Sequence, residues 1–164
     1  MTIPVQAFSE IYPKDLRPGN VFKFRSSWAM LVTYEDRSTL DFLMLGGERA
    51  GQLFKLTAGM PKCFGIIPPF TWFPAIEDTA SASDTGNQTT TLTLTPTGPV
   101  IIGANMDGYE RDCFAFRLDG MVDRDYQAYG AGLRYANWTA ELQRPEKPFE
   151  SLGRLFSVSA AQDS

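Results

Sequence analysis

Apolar and polar positions alternate with a period of two along much of this chain, the signature of half-buried strands. Phe22 and Phe24 point away from Lys23 and Arg25, which predicts a strand over Val21–Arg25. Trp28–Tyr34 is nearly all apolar, as a strand buried on both faces would be. Glu35-Asp36-Arg37-Ser38 is a polar turn. Thr39–Leu45 then returns with Leu40, Phe42 and Met44 on one face. Two apolar runs across a short polar turn predict a hairpin. Gly46-Gly47 breaks the pattern, and Gln52–Leu56 is a third short strand. Ahead of this meander, Arg17-Pro18-Gly19-Asn20 puts proline second and glycine third, as a type II turn requires.

The middle of the chain follows another pattern. Gly65–Pro74 is apolar but holds Pro68, Pro69 and Pro74, which forbid a central strand and predict an extended connection across the core. Residues 78–88 are polar and predict a protruding hairpin or loop, and Thr89–Thr95 enters a strand through Leu92 and Leu94. The second half then repeats the signals of the first. Val100-Ile101-Ile102 is an apolar run, Asn105–Asp112 is rich in turn residues, and Phe114, Phe116 and Leu118 alternate until Asp119-Gly120. A duplication or the ordinary grammar of a β-meander produces such a repeat.

Three stretches also fit helical spacing: 5–12, 133–142 and 149–156. Pro13 would stop the first, glycines near Tyr129 favour a strand for the second, and Gly153 weakens the third. The expected fold is therefore all-β and mainly antiparallel, a barrel or two-sheet sandwich with little helix; the alternative is an α+β domain using those three helices. One domain is expected over 1–164, with the polar loop at 78–88 and a frayed tail at 157–164. Leu16-Arg17-Pro18-Gly19-Asn20-Val21 resembles the turn-and-strand opening of small SH3-like β-barrels; the likeness is confined to those residues and implies no function.

Composition changes this picture mainly through what is missing. The chain has no histidine, so no Ser-His-Asp or Cys-His site and no His-ligated metal can form from its own residues. The net charge of -4, with no basic run, argues against a nucleic-acid partner. No positive cluster and apolar stretch opens the chain, and no apolar window has membrane-spanning length, so a cytoplasmic protein without membrane contact is expected. Cys63 and Cys113 form no CxxC motif and read as small apolar residues. The sequons at Asn87 and Asn137 then read as coincidences of composition.

Candidate chemistry remains thin. Asn105, Asp107 and Asp112 share part of a calcium-loop pattern without its leading Asp and terminal Glu, and a turn explains them equally. Asp119, Asp123 and Asp125 form a second acidic turn. Glu48, Glu77, Asp107 and Glu110 are available for a paired-carboxylate hydrolase, but no spacing selects a pair. Gly46–Gly51 is glycine-rich but precedes a strand pattern rather than a helix, so it predicts a turn and not a phosphate loop. The aromatic residues are the stronger lead. Phe70, Trp72, Tyr129, Tyr135 and Trp138 are the candidate anchors of a binding surface, although core packing is the commoner role for residues such as Trp72 and Trp138.

These residues point to a non-catalytic binding or interaction module, with a protein partner or self-association and no cofactor. The alternatives are a β-barrel holding a small apolar ligand and a carboxylate- or cation-dependent hydrolase.

Overall fold

The computed structural model describes residues 3–33, 40–77, 89–105, 112–124 and 133–159. The predicted all-β, antiparallel architecture is what forms. The strands, in chain order, are β1 (Phe8–Ile11), β2 (Val21–Phe24), β3 (Ser27–Thr33), β4 (Leu40–Met44), β5 (Leu53–Lys55), β6 (Cys63–Ile66), β7 (Thr71–Ala75), β8 (Leu92–Thr95), β9 (Gly98–Asn105), β10 (Asp112–Arg117), β11 (Leu133–Tyr135), β12 (Asn137–Gln143) and β13 (Gly153–Ser159). They build three sheets rather than two: β1-β6-β2-β3-β4-β5, β10-β9-β8-β11 and β13-β12-β7. Among the described residues no sheet closes on itself, so the arrangement is sandwich-like and not a barrel.

The α+β alternative fails in all three places. Val5–Ala7 makes a single 3-10 turn before β1, residues 133–142 are β11 and β12, and β13 occupies the third stretch from Gly153 on. Aromatic and β-branched side chains gain more by packing on a pleated face than along a helix stripe. The expected frayed tail at 157–164 is corrected at its start, since Ser157–Ser159 belongs to β13 and pairs with Asn137–Thr139; residues 160–164 lie outside the described residues.

The three prolines keep out of the sheet centres, but the stretch that holds them does not keep out of the sheets. Gly65 and Ile66 finish β6, and Thr71–Ala75 is β7, so the segment is no simple connection. Pro74 is tolerated because β7 is an edge strand that need not donate on its outer side. Only Ile67–Phe70, with a cis bond between Pro68 and Pro69, links the two strands.

Each half of the meander behaves as its pattern predicts. Asn20 N–H donates to the Arg17 carbonyl at 3.1 Å with Gly19 at φ 91°, the predicted type II turn. β3 pairs with β4 from Ala29↔Met44 to Thr33↔Leu40. The turns predicted at 35–38 and between Asn105 and Asp112, and the loop at 78–88, lie outside the described residues wholly or in their centres.

One large core joins the sheets. Val21, Met30, Val32, Leu43 and Ile66 face it from the first sheet, Leu92, Ile101 and Phe116 from the second, and Ala140, Leu142 and Val158 from the third. Gly120 sits where the first two sheets meet. Its carbonyl accepts from Thr33 N–H at 2.9 Å, and a Cβ there would strike the backbone of Gly19 and Leu31. A second, smaller core lies on the opposite face of the first sheet and holds Phe22, Ala29, Leu31, Phe42, Met44 and Cys63.

Candidate functional site

Alternation in β2, β4 and β5 delivers Phe22, Phe24, Leu40, Phe42, Met44 and Phe54 to the same outer face of the first sheet. Leu16, Leu56 and Met60 from flanking segments pack against part of it. The remainder stays open as a hollow of about 680 Å³. Its floor is Phe42, Phe54, Phe24 and Met44. The Phe42 and Phe54 rings stack with centroids 5.5 Å apart, and Phe24 tilts against Phe42 at 5.3 Å. Such offset and tilted pairs are the favoured aromatic geometries, so the floor is a rigid apolar surface.

Two turns form the lips. β2 and β3 are joined by Arg25 and Ser26 alone, with φ 47° and 71°. Positive φ at both central residues is the type I′ hairpin turn, which matches the twist of the strands but normally takes Asn-Gly. Here two L-residues with full side chains hold the left-handed conformation, a strain that folds retain mainly where function uses it. The second lip is the turn from Gly46 to Gly51 between β4 and β5. Gly47 has φ 81°, and a Cβ on it would strike Ser27 Oγ, so only glycine lets this turn lie against the β2–β3 turn. Ala50 N–H donates to Gly47 O at 3.2 Å and Gln52 N–H to Arg49 O at 3.1 Å, consecutive turns leading into β5. The predicted turn is present and no helix follows it.

The rim is cationic. Arg25, Arg49 and Lys55 line the hollow against the single carboxylate of Glu48. This reverses the net charge of -4 carried by the chain as a whole. The Arg25 guanidinium lies over the Phe24 ring at 5.2 Å and that of Arg49 over Phe54 at 5.6 Å. Among the described residues, neither guanidinium is held by an ion pair or hydrogen bond. Stacking orients the planar forks while leaving their N–H donors unspent.

The aromatic residues singled out in the sequence are placed elsewhere. Trp72 (8% exposed), Trp138 (2%) and Tyr135 (3%) are core side chains and offer no surface anchor. The two indoles stack at 6.2 Å; Trp72 Nε1–H donates to Gly19 O at 2.7 Å and Trp138 Nε1–H to Thr90 O at 2.8 Å. With their polar N–H groups satisfied inside, burial of the large apolar rings wins. Phe70 is partly buried, packed on the main core with the Arg144 guanidinium 5.7 Å from its ring. Tyr129 lies outside the described residues.

The polar candidates also resolve. Asn105 and Asp112 oppose each other on β9 and β10, while Asp107 lies outside the described residues. Among the described residues no three acids or cysteines gather into a metal-binding group. Asp119 accepts from Arg117 at 2.9 Å and from Met121 N–H at 3.0 Å, a turn held by its own carboxylate. Glu77 and Glu141 both turn to Arg154. Glu48 stands alone at the hollow, and Glu110 lies outside the described residues. Cys63 and Cys113 are free thiols, and burial pushes the Cys63 thiol up from 9.0 to about 11, against the lowering effect of a backbone hydrogen bond.

In the sequence Phe24, Phe42 and Phe54 are ordinary strand positions, and Arg25 is the last residue of a predicted strand. The signal that separates them is the cation directly after a floor residue, in Phe24-Arg25 and Phe54-Lys55. No helix among the described residues is long and apolar enough to cross a membrane. Compared with family models, curated proteins and solved structures, the chain matches none.

Proposed function

We propose that this protein is a non-catalytic binding module that seats the apolar body of a small ligand in the hollow of its first sheet. One observation carries this reading: an open concavity of about 680 Å³ whose floor is an interlocked set of phenylalanine rings on strands, ringed by a few polar groups. Ligand sites are concave, mostly apolar and of this size, and sites built on strands hold their shape without ligand. The cytoplasm suits a module with two free thiols.

The test is fluorescence titration with N-phenyl-1-naphthylamine, a neutral dye that brightens in apolar surroundings. Wild type brightens it saturably, and Phe54→Ala, which removes one stacked ring, weakens the binding about tenfold, the equivalent of a lost ring contact of about 1.4 kcal/mol. A dye that stays dark with wild-type protein overturns the reading.

A second reading, as a protein-interaction module, rests on Phe149. This residue is 79% exposed at φ 64°, with its ring edge-on to Phe73 at 5.9 Å. A rigidly presented phenylalanine is a natural interface anchor. Light scattering on a sizing column then shows a dimer or a stable partner complex that Phe149→Ser abolishes; a strict monomer with no partner refutes it.

A further inference from the structure

We infer that the hollow selects an organic anion: a ligand with a planar apolar body and one carboxylate or sulfonate group at its edge. The inference rests on the binding reading above and adds the charge of the ligand to it.

Arg25 and Arg49 hold their donors unspent among the described residues. Each guanidinium on the rim covers an aromatic ring of the floor, and neither spends its donors on a carboxylate or carbonyl of the described residues. An arginine that serves only stability has no reason to lean over an open hollow, because exposed cation–ring contacts contribute little. A planar fork fixed by stacking and still holding its donors is preorganised for a bidentate oxyanion. Arg25 adds an independent sign. It occupies the first central position of a type I′ turn, where asparagine or glycine fits with less strain. That turn places it in the lining of the hollow together with Arg49 and Lys55. Three cations against one carboxylate, on a protein of net charge -4, make a local field that draws an anion to a surface where rings await its body.

The experiment uses two dyes that share one apolar body. N-phenyl-1-naphthylamine is neutral, and 8-anilinonaphthalene-1-sulfonate is the same ring system with a sulfonate. Wild type binds the sulfonate about tenfold more tightly than the neutral dye, the worth of one charge-assisted contact. Arg49→Gln and Arg25→Asn each remove most of that preference, because each weakens the sulfonate more than the neutral dye. Arg144→Gln, which deletes another guanidinium that lies over a ring, that of Phe70 in the link between β6 and β7, leaves both affinities as they are. Equal affinity for the two dyes, or an equal loss in the Arg144 variant, overturns the anion inference and leaves the hollow as a site for neutral ligands. If neither dye binds, the binding reading itself falls. Thermal melts accompany each variant. Arg25→Asn melts no lower than wild type while losing the sulfonate preference, a combination that a purely structural arginine does not produce.

Discussion

The indole N–H of Trp72 ends on the Gly19 carbonyl, and that of Trp138 on the Thr90 carbonyl. Each bond ties a residue of the third sheet to a loop of another, so both tryptophans act as staples. Trp72→Phe keeps most of the ring but leaves the Gly19 oxygen without its indole donor, and is expected to destabilise by about 1–3 kcal/mol. Trp138→Ala also opens a cavity and is expected to lose about 3–5 kcal/mol. Urea denaturation midpoints check both. Cys63 sets a pH dependence of its own. Its folded pKa is raised, to about 11, so the unfolded chain loses the thiol proton first. The stabilisation it contributes is complete below 9.0 and declines as pH rises to about 11. Cys63→Ala flattens stability across that window, measured by urea titrations at each pH. Neither consequence was legible in the sequence. Trp72 and Trp138 are aromatic residues on extended segments whether they anchor a partner or fill a core. Only the carbonyls waiting inside the fold decide between the two.

The β2–β3 turn is the element in which local structure and proposed function pull apart. Ser26 at φ 71° carries a side chain where glycine is free of strain. Ser26→Gly is expected to raise stability by about 1 kcal/mol, read as a higher melting temperature, without touching the floor of the hollow. Elements of this kind were largely readable in advance. The Pro-Gly turn before β2, the apolar β3, the Phe-alternating β4 and β10, and the glycine-rich turn before β5 all sit where alternation and turn residues put them. The misses share one cause. Local spacing at 149–156 fits a helix, but Gly153 heads β13 because Asn137–Gln143 offers it a strand partner. Tyr135 and Trp138 are three positions apart and both buried, which breaks a period of two. The break falls at Ala136, where the chain leaves the second sheet for the third, and a strand that changes sheets resets its phase.

At the scale of the whole molecule, the main core draws on all three sheets, and no sheet covers its own apolar face. A single cooperative unfolding transition is therefore expected, with near- and far-ultraviolet circular dichroism tracing the same curve against urea. Two separate transitions would mean that the first sheet, with its second core, folds alone. Strand content, the antiparallel class, the turns before β2 and β5 and the absence of imidazole chemistry followed from the residues alone, because periodicity, turn chemistry and composition are local properties. Three sheets instead of two, the edge position that accommodates Pro74 and the burial of the tryptophans depended on contacts between distant residues. The hollow did as well. Phe24, Phe42 and Phe54 come from β2, β4 and β5, which share a face only after β3 has paired between β2 and β4, and nothing in their local spacing distinguishes rings that fill a core from rings that floor an open site.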